Sequence, residues 1–226
     1  MIQTPPVPPP VPPADPRDFY DAHYHFEEDA TRPDEKRIWH ALRNLHPLRG
    51  ADFLDLGCGA GWATRLAKVE GNARRAVGLD FSRTGLLLAR RHSPDILWIQ
   101  ADGTALPLGD GAFDRLFCNG ALEHFPDVRR GLAEIHRILR PGASAVLIVP
   151  NFYVKTEQPM EFRTHYWGWK KLLRDCGLEV TRTGADWGPP IFKNANLKRV
   201  AARTIGKILS AIPFMQYQFI FVVKKR

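Results

Sequence analysis

No window of the sequence approaches the roughly 18 uninterrupted apolar residues that a membrane-spanning helix needs. Cysteine is scarce: Cys58, Cys118 and Cys176 are odd in number, far apart and never in a Cys-x-x-Cys pair. That argues against a disulfide framework and for a reducing, cytoplasmic setting. The N-terminus lacks the basic start and apolar centre of a secretory signal. What is present in excess is positive charge. With 32 Lys and Arg against 24 Asp and Glu the formal net charge is +8, which favours anionic partners without choosing among nucleic acid, an acidic membrane surface and an acidic metabolite. A length of 226 residues, 44% hydrophobic and 25% charged, suits one α/β domain with a well-buried core.

The stretch around which the chain is organised is 52–64. An apolar run (Phe53, Leu54, Leu56) ends in glycines at alternate positions, Gly57, Gly59 and Gly61, and a helix-compatible segment starts at Trp62. This pattern predicts a strand, a tight turn and a helix, with glycines that allow positive φ and the close approach of a ligand to the backbone. Asp55 sits in the strand just before the turn.

Ahead of it, residues 1–17 form a proline-rich tract expected to be a disordered, extended tail. An aromatic cluster from Phe19 to Phe26, including Tyr20 and Tyr24, and a helical pattern over about 33–45 make 18–47 a helical N-terminal segment. It either docks on the domain or covers a ligand. Residues 48–226 read as a single domain. Beyond 69, short apolar runs end in acids or amides: Asp80 after 76–79, Asp102 after 96–99 and Asn119 after 113–118. Ser82 is placed to cap a helix. A helix over 127–140 stopped by Pro141 and Gly142, then an apolar strand at 145–149, complete five β-α repeats. Such repeats build an open parallel sheet with helices on both sides, and its ligands bind beyond the C-terminal strand ends.

The substrate-side elements, 151–215, contain a polar loop, a helix over 165–176, a strand over 178–183 and a basic amphipathic stretch at 197–212. That last stretch would pack its apolar face on the sheet or lie on a membrane surface. Residues 218–223 form a final strand.

The Walker pattern is absent, since no Gly-Lys-Ser/Thr follows the glycines. The dinucleotide fingerprint requires a glycine at position 62, which is Trp. Asp80, 23 positions after Gly57 (80 − 57), suits two ribose hydroxyls, and Asp102 suits an adenine amine. Asp55 near the turn favours a cation. Adenine, ribose and a positive end together describe S-adenosylmethionine.

The segments Phe-Leu-Asp-Leu-Gly-Cys-Gly-Ala-Gly (53–61), Val-Gly-Leu-Asp-Phe-Ser (77–82), Ala-Asp-Gly-Thr-Ala-Leu-Pro-Leu (101–108), Phe-Asp-Arg-Leu-Phe-Cys-Asn-Gly-Ala-Leu-Glu-His (113–124) and Leu-Arg-Pro-Gly (139–142) resemble, in order and spacing, the motifs of class I S-adenosylmethionine-dependent methyltransferases. The nearest likeness is to the ubiquinone/menaquinone-methyltransferase group. The resemblance implies a Rossmann-like three-layer sandwich whose seven-stranded, mostly parallel sheet has an antiparallel last strand between the fifth and sixth. It also implies that Asp55, Gly57, Cys58 and Gly59 bracket the methionine end, Asp80 and Phe81 the ribose, Asp102 and Gly103 the adenine, and Asn119 the sulfonium, with Tyr20 and Tyr24 closing over the cofactor.

Methyl transfer is an in-line displacement that asks the protein mainly for alignment in a dry site. A base is required only when the acceptor must lose a proton, and His124, after the fourth strand, is the candidate. His165, Tyr153 and Tyr166 are candidates for the acceptor pocket. Glu123 and His124 alone do not make a metal site. Nucleic-acid methylation is disfavoured, because Asn119-Gly-Ala-Leu122 replaces the Asn/Asp-Pro-Pro-Tyr/Phe motif of base-amino methyltransferases. The expectation is O-methylation of a small molecule such as a quinone or lipid-like metabolite. A binding protein that keeps the fold without turnover is the alternative.

Overall fold

The computed structural model describes residues 16–23, 34–152, 161–186 and 218–226. Tyr24, Tyr153, most of the proline tract and the 197–212 stretch lie outside the described residues. Two short helices, α1 (Pro16–His23) and α2 (Glu35–Leu42), precede the sheet. The first begins at Pro16, within the stretch expected to be tail. Proline suits that position, where its missing N–H has no helical partner to serve.

The strands are β1 (Asp52–Leu56), β2 (Arg75–Asp80), β3 (Leu97–Gln100), β4 (Phe113–Asn119), β5 (Leu139–Pro150), β6 (Leu178–Asp186) and β7 (Gln218–Lys225). They form one sheet in the order β3-β2-β1-β4-β5-β7-β6. Pairs from β3 through β5 are parallel, whereas β7 runs antiparallel to both β5 and β6. The expected topology is therefore the observed one.

Period-two side-chain alternation divides the apolar residues between two cores. Leu54, Leu56, Leu147, Val149, Phe219 and Phe221 face a core shared with α5 (Val128–Ile138) and α6 (Tyr166–Asp175). Phe53, Val146, Ile148, Ile220 and Val222 face the other, under α2 and α3 (Trp62–Val69). Helix α5 contributes Leu132, Ile135 and Ile138 at helical spacing, all fully buried. Its N-cap is Asp127, whose side chain accepts from Arg130 N–H at 3.0 Å.

Helix α5 ends at Ile138, two residues short of the expected stop. Strand β5 then starts at Leu139, pairing it with Phe113, and passes through Pro141 and Gly142 before a register shift brings Ser144 opposite Arg115. Burial of Leu139 drives this, because an extended backbone seats its side chain fully in the core. At the N-terminal end of the sheet Asp52, 1% exposed, is surrounded by Arg74, Arg75 and Arg140, and its N–H donates to Asp114 at 2.9 Å. Part of the basic surplus thus neutralises a buried acid.

Gly61 has φ +79°, and a Cβ there would lie 2.3 Å from the Trp98 ring. The Trp98 indole, with its N–H donating to Ser93 O at 2.9 Å, fills the space between β3 and α4 (Arg83–His92). Gly61→Ala is therefore expected to lower unfolding free energy by about 2–4 kcal/mol, combining left-handed backbone strain with overpacking. Urea denaturation that returned wild-type stability would contradict this.

Candidate functional site

The carboxyl ends of β1, β2, β3 and β4 surround a cavity of about 350 Å³. Asp80, Phe81, Asp102, Gly103, Asn119, Tyr20, His124 and Phe125 line it. The site lies where doubly wound sheets bind ligands.

Asp80 is the hub. Its Oδ2 accepts the N–H of Gly59 at 2.7 Å and its Oδ1 that of Ser82 at 2.8 Å. The carboxylate thereby ties the glycine turn to the start of α4. Burial pushes its carboxyl up, against the N–H bonds that favour the charged form. An ionised carboxylate has about four acceptor positions, so two remain for adjacent hydroxyls. Asp102 takes both Thr104 N–H and Thr104 Oγ at 2.8 Å on Oδ1, which leaves Oδ2 for a donor.

The glycine turn has a packing reason that its sequence pattern does not reveal. Gly57 has φ +74°, and a Cβ there would stand 2.2 Å from the Ala121 Cβ. The turn is close because the loop after β4 presses on it, and the contact forms the cavity wall. Phe125 fills the space a side chain on Gly103 would take, 2.1 Å from such a Cβ.

Helix α1 roofs the cavity. Its Asp21 side chain accepts from Ser82 Oγ and, at 3.0 Å, from Thr84 N–H. Burial pushes the Asp21 carboxyl up, but these bonds outweigh it and hold it below its ordinary value. Tyr20, next in the helix, sets its ring edge-on to His124 with centroids 5.7 Å apart. The Tyr20 hydroxyl is buried and has no hydrogen-bond partner among the described residues. Its pKa is pushed up by burial and by the nearby carboxyls of Glu123, Asp80 and Glu161.

Of the sequence candidates, Gly57, Asp80, Phe81, Asp102, Gly103, Asn119, Tyr20 and His124 all line the cavity. Asp55, Cys58 and Gly59 stand behind its wall. Asp55 is 2% exposed and accepts from Thr64 Oγ of α3 at 2.7 Å, so it joins strand to helix below the turn. Cys58 packs beside Trp98. Trp62, read as an obstruction, stacks on His92 with ring centroids 4.5 Å apart. His165 pairs with the Phe152 ring, and Tyr166 packs on Phe219 and Phe221; neither lines the cavity. Sequence reasoning missed Asp21 and Phe125. Phe125 had a signal, an aromatic beside Pro126 directly after the His124 turn.

Residues 54–147 match the family model described as "Methyltransferase domain". A 2-phytyl-1,4-naphtoquinone methyltransferase of Nostoc punctiforme is 37% identical over 123 residues, 50% of this chain and 54% of its own length. A demethylmenaquinone methyltransferase of Staphylococcus haemolyticus is 30% identical over 132 residues, 56% of this chain and 53% of its own length. Residues 54–147 are thus similar in sequence to methyltransferase domains, in agreement with the motifs they carry. The chain spans about half the length of those relatives. A methyltransferase solved in complex with the Trm112 methyltransferase activator of Haloferax volcanii has the same fold, with TM-score 0.70 and 24% identity over 91% of this chain and 96% of that one. Among the described residues, no helix is long and apolar enough to cross a membrane.

On its own chemistry the cavity fits the S-adenosylmethionine that the resemblance implies. Two carboxylates with unused acceptor positions face an adenosine-sized space, and the unpartnered Tyr20 hydroxyl closes it. Asp80→Ala removes an acceptor from two backbone N–H groups and from the ligand. It is expected to weaken S-adenosylhomocysteine binding at least about 50-fold in calorimetry, since charged hydrogen bonds contribute about 1.5–3 kcal/mol each. Unchanged affinity would exclude Asp80 from the site.

Burial raises the Asp55 carboxyl to about 7, against the Thr64 bond and with Asp80 adding to the rise. Because the folded value exceeds the unfolded one, the native state holds the extra proton. Stability from this group is full below the ordinary aspartate range and lost as pH rises through about 7. Asp55→Asn keeps an acceptor for Thr64. Its melting temperature is expected to gain on wild type by about 4 °C or more between pH 4 and pH 8. A pH-independent difference would contradict the assignment.

Proposed function

We propose that this chain transfers a methyl group from S-adenosylmethionine to the oxygen of a small aromatic acceptor of the quinol or phenol class, carried on a lipid-like skeleton. The observation that carries the reading is that one cavity is lined both by polar strand-end residues and by aromatic ones. Asp80, Asp102 and Asn119 offer hydrogen-bonding groups there, and Tyr20, His124 and Phe125 offer aromatic surface. The names of the two quinone methyltransferase relatives support a quinone-type ring, while oxygen as the methylated atom rests on His124 alone.

When bound, S-adenosylmethionine supplies an electrophilic methyl carbon on a sulfonium. Asp80 and Phe81 would hold the ribose, Asp102 and Gly103 the adenine, and Gly57 and Asn119 the methionine end. Phe125 and Tyr20 exclude water, which strengthens every charge interaction inside. His124, which lines the cavity with a side chain 9% exposed, would take the hydroxyl proton of the acceptor. Proton removal by His124 would leave the acceptor oxygen an electron pair with which to meet that methyl carbon. Three free cysteines and the absence of a membrane-crossing helix among the described residues are compatible with a cytoplasmic enzyme that meets its acceptor at a membrane surface.

Purified protein incubated with methyl-labelled cofactor and separate quinol, lipid, small-metabolite and RNA fractions is expected to label the quinol fraction. His124→Gln should reduce that labelling about 100-fold or more while leaving S-adenosylhomocysteine affinity within a factor of three. Label in RNA alone would overturn the acceptor class. Cofactor binding with no fraction labelled would favour a non-catalytic binding protein.

A further inference from the structure

Beside His124 lies a carboxyl group that the reading above does not use. Glu123 is 4% exposed, and its Oε2 is buried with no hydrogen-bond partner among the described residues. The 3₁₀ turn Leu122–His124 fixes it next to His124, with Oε1 4.0 Å from His124 Nε2. Gly120, which lines the cavity, is close to it: a side chain there would come within 3.8 Å of Oε1. A buried carboxyl with an open valence is costly unless something completes it. Among the described residues no arginine or lysine does so, in contrast to Asp52 at the opposite end of the sheet.

We infer that Glu123 is a positioning residue for His124: its carboxylate stands against the imidazolium that forms when His124 accepts the proton of an aromatic hydroxyl on the acceptor. The inference rests on the proposed reading of His124 as the proton acceptor. The acceptor O–H bond breaks and the proton passes to a ring nitrogen of His124. The oxygen's electron pair forms the bond to the methyl carbon, and the pair of the breaking carbon–sulfur bond stays on sulfur. Glu123 gains no proton in the step. It supplies the countercharge that makes the imidazolium tolerable in a site closed to water, and the 4.0 Å separation shortens to an ion pair as the ring charges.

The carboxyl's surroundings define a pH window. Tyr20 of α1, Cys118 at the end of β4, the adjoining His124, and Glu161 with its partner Arg163 ahead of α6 are the titratable and charged groups around it. Burial pushes the Glu123 carboxyl up to about 8, partly opposed by a backbone hydrogen bond, and Glu161 raises it further. Glu123 is therefore mostly neutral at pH 7 and charged above about 8, so its support for His124 grows across that interval.

The test compares Glu123→Gln with wild type by pH–rate profile on a quinol acceptor and by NMR titration of the His124 ring, assigned with His124→Gln. Glutamine is a neutral match for the carboxyl at pH 7, so the variant should fold, with unchanged S-adenosylhomocysteine affinity. Wild-type turnover is expected to rise with a midpoint near pH 8. Glu123→Gln should fall about 10–100-fold and lose that rise, and Glu123→Asp should restore part of it. An ionisation belonging to the acceptor would persist in Glu123→Gln, so a retained rise overturns the inference. The His124 ring should titrate at lower pH in Glu123→Gln than in wild type, and coincident titrations also overturn it. If no quinol is methylated yet the ring titration shifts as expected, the proposed acceptor fails while the Glu123–His124 coupling stands. Should Glu123→Gln not fold, the Glu123→Asp comparison decides: a profile and ring titration identical to wild type count against the inference.

Discussion

The carboxylate of Asp80 holds the site together. By accepting the N–H groups of Gly59 and Ser82 it fixes the turn after β1 to the first turn of α4. Ser82 in turn donates its hydroxyl to Asp21, so the same chain of bonds reaches the roof helix that carries Tyr20. Three segments distant in sequence are thus set by one group that also faces the cavity. A ligand that adds hydrogen bonds to Asp80 acts on all three, giving α1 a physical route to respond to occupancy.

The two ends of the sheet handle buried acids in opposite ways. At the N-terminal end Asp52 is enclosed by arginines, and Arg140 joins it to Asp114. That arrangement is structural, with charge compensated where the strands begin. At the carboxyl end Asp55 and Glu123 are just as buried but have no arginine or lysine beside them among the described residues, and burial raises both carboxyls toward neutrality. Uncompensated buried acids gather where chemistry needs protons held or a positive ligand welcomed. Arg137 performs a third task, holding the 106–110 loop on α5 through Glu134 and Asp110.

The fold was largely legible because parallel strands buried on both faces read as apolar runs, and each run ends in a residue with a reason to be at a strand tip. Asp80, Asp102 and Asn119 were found this way, and all line the cavity. Where the reading erred, long-range packing decided. The α5 boundary moved because Leu139 gains more from an extended, core-facing backbone than from another helical turn. The glycines at 57 and 61 owe their identity to Ala121 and Trp98, residues 64 and 37 positions away (121 − 57; 98 − 61). Asp55 carries the right chemistry in the right motif, but its side chain turns to Thr64, and a strand's sequence does not announce which face is covered. Asp21 gave no local signal, because its partners lie 61 and 63 residues on.

The central claim is that the cavity at the carboxyl edge binds the adenosyl cofactor across β1, β2, β3 and β4. Amide chemical-shift mapping with S-adenosylhomocysteine tests it most directly. The account predicts the largest shifts at Gly57, Gly59, Phe81, Ser82, Gly103, Asn119 and Tyr20, with the Asp52, Arg74 and Arg140 end of the sheet unmoved. Shifts concentrated at that opposite end, or none at saturating ligand, would contradict it.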